Sequence, residues 1–396
     1  MPRRICSSVS AAVIGAAFLM SSFAMASDPD IDKAVAVLPA DCQGEVRDAL
    51  VSAGKNGPEL IAAIGSIKPE QRRALAFLLA HMPVRDLTTL DRNFLIENVS
   101  MAFEARKDSA WGASLPDEIF QNYVLPFANL NEKRENWRRD FQARFSAEVK
   151  ECKSSSDAAL MLNRRIFDIL KVHYHATKRP KPDQSPGESI EAGYASCTGL
   201  SILLVDACRA VGVPARVVAI PGWTVPRGDK SGNHRGNHTW VEIWDGQWHV
   251  LGASEVTPLD RTWFMGSAAE ADPERVEHCI YAASFEKTST VFPLIWDPAI
   301  DYVHADDVTR FYSSRKAVEV RILDRRQGEP ARANLTLRLH GKIVASIPVD
   351  GQTTLTLAGG CDYDATLVAA GAALPVAGKF SISETQKEPV TLYLKD

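Results

Sequence analysis

Apolar residues change their period twice along this chain. From Asp28 to about Ser154 they recur every three or four residues. Helices are predicted at Ala34–Val37, Val46–Ala53, Leu60–Ile67, Arg72–Met82, Leu87–Ala105 and Asp117–Arg144. Another amphipathic helix is predicted over Asp157–Thr177, with Leu160, Ile166, Ile169, Leu170 and Val172 on its core face. A further helix carries Leu200, Leu203, Leu204, Ala207, Cys208 and Val211 at helical spacing, again for one buried face. The small and polar run Ala195–Thr198 suits its start. Gly212 and Pro214 suit its end, as a C′ glycine and a following proline.

The pattern then turns to strands. Val217–Ile220 reads as a buried strand, and Asn237–Trp244 as a second. Asp245-Gly246 is a hairpin turn and Gln247–Leu251 the returning strand. From Lys316 alternation dominates: Val318–Leu323, Asn334–His340, Ile343–Val349, Thr353–Leu357, Asp364–Ala369 and Val390–Leu394, with turns such as His340-Gly341 and Asp350-Gly351. This grammar predicts a small Ig-like β-sandwich. The expected organisation is a signal peptide at 1–26, a helical region at 27–154, a catalytic domain at 155–315 and the sandwich at 316–396.

The predicted helix start places Cys197 in a first turn. Backbone N–H groups and the helix dipole there favour a negative charge, and a thiolate is such a charge. About forty residues on, His238 stands at the mouth of a strand, and Glu255 follows the returning strand. A base to take the thiol proton and an acid to hold the imidazole tautomer complete a Cys–His–acid order. His249, on the return strand, competes for the base role. The histidines His173, His175, His234 and His238 lack a close acidic partner at ligand spacing, so no metal site is expected.

The run Ser196-Cys197-Thr198-Gly199, the tail Ala207–Arg216 and the strand Asn237–Glu242 together resemble the transglutaminase-like superfamily. The resemblance covers roughly Asp157–Glu255. It implies an α+β fold: a papain-like, transglutaminase-like core with Cys197 as nucleophile and His238 as base. The family's usual aspartate would fall near Gly252 or Ala253, and neither is acidic, so Glu255 is the expected replacement. Leu115–Pro126, with Asn131-Glu132 and Trp137-Arg138, resembles the region that precedes the catalytic domain in some bacterial members. Its plain reading is a helical cover. Its functional reading puts Asn131, Glu132 or Trp137 in the substrate cleft. Trp223 and His234, in the polar loop 221–236, are further candidates for substrate contact.

The implied activity is acyl transfer on a protein or peptide substrate, to water (protease or amidase) or to an amine (transglutaminase), with no cofactor. The opposing expectation is an inactive scaffold that binds partners, the sandwich being the partner module. Arg3 and Arg4, the apolar run Ala11–Phe23 and Ala24-Met25-Ala26 before Ser27 read as a cleavable signal peptide. The expected location is therefore secreted or periplasmic, with no membrane span after cleavage. Two basic residues leave with the leader, taking the formal charge from −4 to −6 and arguing against nucleic acid as a partner. Six cysteines remain, export would permit disulfides among them, and Cys42 with Cys152 is one candidate pair that the sequence does not establish.

Overall fold

A computed structural model describes residues 28–224, 236–369, 371 and 374–395. The expected signal peptide and His234 lie outside these residues. Among the described residues eight α-helices precede the core: α1 (Pro29–Val35), α2 (Gln43–Ser52), α3 (Gly57–Ser66), α4 (Arg72–His81), α5 (Val84–Leu87), α6 (Arg92–Asp108), α7 (Asp117–Tyr123) and α8 (Trp137–Val149). Two of the long predicted helices, Leu87–Ala105 and Asp117–Arg144, are each broken. Asp91 caps α6 by accepting a hydrogen bond from Phe94 N–H, which splits Leu87–Ala105. Asp117–Arg144 is interrupted from Val124 to Asn136, where Pro126 has no N–H to give a helix.

That interruption runs through the interior, so its carbonyls need donors. Two buried arginines supply them. Arg138 donates to the carbonyls of Val124, Leu125, Pro126 and Arg209 and to Asn98 Oδ1, at 2.9–3.2 Å. Arg209 donates to the carbonyls of Tyr123, Ala128 and Ala215. The helical region and the core are thus tied by polar contacts as well as by one continuous apolar cluster.

Helix α9 (Ser155–Leu170) starts on Ser154, whose hydroxyl accepts from Asp157 N–H, and stops at Lys171, φ 57°. It ends before His173-Tyr174, which form strand β1 (His173–Tyr174). Helix α10 (Pro186–Ala192) carries a Ser185/Glu188 capping box. Strand β2 (Tyr194–Ala195) lies parallel to β1 and leads straight into α11 (Cys197–Ala210). Helix α11 is not half-buried, as its spacing suggested. Every residue from Thr198 to Ala210 is buried, because α6, α8, α9 and α10 cover the sides that the sheet does not. Gly212 ends it at φ 82°, and a Cβ there would press on Ala105 O at 2.6 Å, so both backbone and space demand glycine.

The core sheet is antiparallel and six-stranded: β3 (Ala215–Ile220), β4 (His238–Trp244), β5 (Trp248–Leu251), β6 (Tyr281–Ser284), β7 (Thr290–Val291) and β8 (His304–Asp307), in the order β5-β4-β3-β6-β8-β7. Ile220 pairs with His238, so the two strands open together at the end where α11 begins. The chain closes with β9 (Arg315–Leu323), β10 (Arg332–Leu339), β11 (Lys342–Asp350), β12 (Gln352–Ala358), β13 (Cys361–Ala369), β14 (Val376–Ile382) and β15 (Val390–Tyr393), in the order β14-β13-β10-β11-β12-β9-β15. Strands β11 and β12 share one pair, Asp350–Gln352, and the ladder folds over there around a second apolar cluster. Strand β14 escaped the sequence reading because it is an edge strand that buries only Ile382. The β4–β5 hairpin leans on this layer: Ser346 N–H donates to Gly246 O (2.7 Å) and Thr356 N–H to Gln247 Oε1 (3.1 Å).

All six described cysteines are free, the Cys42 and Cys152 thiols among them. The Cys42 thiol donates to Pro39 O. Among the described residues no helix is long and apolar enough to cross a membrane.

Candidate active site

Cys197 is the first residue of α11 and is partly exposed, while all that follows it in the helix is buried. Its backbone N–H is among those the helix leaves unpaired. His238 is the first residue of β4. Each is followed by a threonine, and the Thr198 and Thr239 hydroxyls meet at 3.0 Å, a buried bond that ties the helix start to the strand start. Cys197, His238 and Glu255 all line one cleft of about 850 Å³. Its other walls include Tyr174, Arg179, Trp263, Ile295 and Trp296.

Aromatic rings surround the His238 imidazole. Phe264 lies 4.8 Å away between centroids, Trp263 5.1 Å, Trp240 5.9 Å and Trp223 6.1 Å. Loss of water in this shell lowers the pKa of His238 to about 4, so its imidazole is neutral at neutral pH. Trp240 is fixed in turn by its indole N–H, which donates to Tyr312 Oη at 2.8 Å, and Tyr312 donates to Glu242.

Glu255 reaches the cleft through a tight turn. Its N–H bonds to Gly252 O at 3.1 Å, and Ser254 takes a left-handed φ of 64°. Asn163, buried on α9, clamps the turn by donating to Gly252 O (2.9 Å) and Glu255 O (2.7 Å) and by accepting from Ser254 N–H (2.8 Å). The Glu255 carboxylate folds back over Gly252, and Trp263 Nε1 donates to its Oε1 at 2.8 Å. Burial raises the pKa of Glu255, and the Trp263 bond opposes that rise. Glu255 Oε2 and His238 Nε2 are both buried without a hydrogen-bond partner, so no bond joins them in this state. Such contacts often close only around a bound substrate.

The remaining candidates are placed elsewhere. Trp223 is buried and stacks on Trp240 behind His238; it backs the imidazole and does not line the cleft. Asn131 and Glu132 do not line it either. Asn131 Oδ1 accepts from Arg85 and from Tyr302 Oη. Glu132 is buried and accepts from Asn129 N–H (2.6 Å) and Leu130 N–H (2.8 Å), stapling the interior loop. Trp137 is buried, with its indole N–H on Phe127 O. His249 bonds Asp260 at 2.8 Å through Nδ1 and lies outside the cleft lining. Burial pushes Asp260 up, yet His249, Val250 N–H and Arg315 outweigh it and hold its pKa at about 2. The loop from Arg179 to Gly187, read in the sequence as a wall of the cleft, contributes Arg179 to its lining, whereas Asn163, Trp263 and Tyr174 were not among the candidates. The one signal for Asn163 was a polar residue on the apolar face of a helix.

Among the described residues no group of three His, Cys, Asp or Glu side chains is arranged to hold a metal ion. Residues 143–253 match the family model described as the transglutaminase-like superfamily, ending two residues before Glu255. No curated protein matches the chain. Two solved structures resemble it: a candidate cysteine protease from Cytophaga hutchinsonii and red sea bream transglutaminase. The first is 19% identical over 34% of this chain and 44% of that one, TM-score 0.26. The second is 12% identical over 69% of this chain and 65% of that one, TM-score 0.33. The chain thus spans less than two thirds of either relative.

Proposed function

Since residues 143–253 form a transglutaminase-like domain, we propose that the protein is an exported cysteine-dependent acyltransferase acting on peptide or amide substrates. The observation that carries the reading is the shared cleft: Cys197 on a helix N-terminus and His238 on the adjoining strand face the same space. The neutral imidazole takes the thiol proton as Cys197 sulfur attacks the carbonyl carbon. The Cys197 backbone N–H helps hold the oxyanion. The imidazolium then protonates the departing amine or ammonia, leaving a thioester. Water or an amine attacks the thioester, and the thiol is restored. The reading favours hydrolysis, as a peptidase or amidase in a periplasm or outside the cell. Glu255 is the acid that orients His238.

A specific observation also favours a second reading, a scaffold that binds without turnover: His238 Nε2 and Glu255 Oε2 have no partner. Alkylation of the full chain with iodoacetamide near pH 6, read by peptide mass mapping, separates the two. At that pH an ordinary thiol, of pKa about 8.5, is under about 1% thiolate. Fast labelling at Cys197 that is lost in His238→Ala supports the enzyme. Equally slow labelling in both supports the scaffold. Trapping the thioester with a dansylated amine, against release of free acid, then distinguishes cross-linking from hydrolysis.

A further inference from the structure

The cleft is walled by surface that a folded protein usually hides. Tyr174, Trp263 and Ile295 are 59%, 68% and 44% exposed, and all three line it. Exposed apolar groups gathered at one mouth mark a binding surface, not chance exposure. The charges in this wall are sparse. Among its described residues Arg179 is the one permanent cation and Glu255 the one carboxylate. Glu255 turns one oxygen to Trp263 and lies folded over Gly252. The Arg179 Nε is buried and has no hydrogen-bond partner among the described residues. A buried donor left unmade costs about 1–3 kcal/mol, more when charged.

The chain holds Arg179 beside the nucleophile. Strand β1 pairs with β2, the segment that ends one residue before Ser196, so Tyr174 lies opposite Ala195. His175 N–H donates to Ala195 O at 2.8 Å, and Ser196 donates to Pro182 O at 3.3 Å. The loop 175–182 is therefore fastened at both ends to the two residues preceding Cys197, with Arg179 at its middle. The Tyr174 hydroxyl feels both neighbours. Burial raises its pKa, the Cys197 charge adds to this, and the Arg179 charge opposes it.

We propose that the substrate carries a carboxylate close to the acyl group that Cys197 attacks, and that Arg179 receives it. The proposal rests on the reading of Cys197 as the nucleophile and names the substrate class of that site. The guanidinium Nε–H and one Nη–H form parallel bonds to the two carboxylate oxygens. Tyr174, Trp263, Trp296 and Ile295 take the apolar part of the same segment. The carboxylate is an acidic side chain or a free chain end. The two share one chemistry and differ in where they stand relative to the attacked bond.

The test uses N-iodoacetyl tripeptide amides with Glu or its isostere Gln at each position in turn, and the same peptides with a free C-terminal acid. Pairs compete for the full chain, and label at Cys197 is read by mass. One position should favour the carboxylate by about ten-fold, the worth of one charge-assisted hydrogen-bond pair. Added salt should shrink that preference. In Arg179→Gln the ratio should fall to unity, with both peptides slowed alike by loss of the cation near Cys197, and labelling still confined to Cys197 and lost in His238→Ala shows an intact cleft. Arg179→Lys should keep part of the preference. A preference for Glu within the peptide identifies an acidic side chain, and one only for the terminal acid identifies a chain end. Equal labelling at every position in the wild type, or a preference that survives Arg179→Gln, overturns the proposal. The ratio is read whatever the absolute rate. Slow labelling with a clear Arg179-dependent preference would keep the anion site and remove the thiolate reading instead.

Discussion

The Glu255 carboxylate occupies the space that a side chain on Gly252 would need. A Cβ built on Gly252 would overlap its carboxyl carbon and Oε2 and lie 2.8 Å from Oε1. A carboxylate therefore enters from three residues further along, and glycine at 252 makes room for it. Gly252→Ala should expel the carboxylate and slow the reaction of Cys197 with a peptide reagent that fills the cleft by about as much as Glu255→Gln does, within the roughly 10⁴-fold that loss of an orienting acid costs. The double variant should be no slower than either single one. Gly252→Asp combined with Glu255→Ala should recover much of the rate, since its carboxylate would fill the vacated volume. Additive losses would show that the two positions act separately.

The acid limb of reactivity should lie near pH 4, well below the ordinary histidine value of about 6.5. Burial among Phe264, Trp263, Trp240 and Trp223 depresses the His238 pKa to about 4. On the proposed reading the neutral imidazole is the base, and it is lost only as pH falls through that value. Stability follows the same sign. Between about 6.5 and 4 the unfolded chain takes up a proton that the folded chain refuses, so stability falls with pH there, by at most about 3 kcal/mol. His238→Gln should flatten that part of a urea-unfolding series measured from pH 7 to pH 4.

Trp263 does two things that two variants separate. Its ring covers His238, and its Nε1 holds Glu255. Trp263→Phe should keep the cover and lose the bond, lowering the alkylation rate by about three- to ten-fold with the acid limb in place. Trp263→Ala should also admit water to His238 and move the acid limb upward toward 6.5. A pH series of alkylation rates on both proteins reads the difference. Identical profiles would confine Trp263 to the surface it displays.

Cys197 and His238 were legible because their chemistry is local: a small-residue helix start, a strand mouth and the pattern that follows each. The proposed acid was legible only as the nearest carboxylate, since nothing in sequence says that a turn clamped by Asn163 carries Glu255 back over Gly252. The full burial of α11 was hidden for a related reason. Its polar residues look solvent-facing in a periodicity plot. In the fold Asp206 accepts from Asn129 at 2.8 Å, and Arg209 feeds carbonyls of the interior loop. Asn131 and Glu132 suggested a cleft wall because they form a polar run before a catalytic domain; in the fold they lie outside the cleft lining, and Glu132 serves backbone that has left helical geometry.

That interior loop gives the last prediction. Arg138 is fully buried and spends its guanidinium on four backbone carbonyls and Asn98. Burial, with Arg209 nearby, lowers its pKa to about 9, so it is still charged at neutral pH. Arg138→Leu would fit the space but leave those carbonyls without donors, and Asp206 with one cation fewer in its surroundings. Breaking a buried charged network typically costs about 3–5 kcal/mol. Glu132→Ala removes the acceptor for two backbone N–H groups and should cost less, about 1–3 kcal/mol. Both losses should appear in thermal or urea unfolding. For Glu132→Ala the alkylation rate of Cys197 in the folded fraction should match the wild type, because the side chain lies outside the cleft lining. A Glu132→Ala protein of wild-type stability but slowed Cys197 would return that residue to the substrate site.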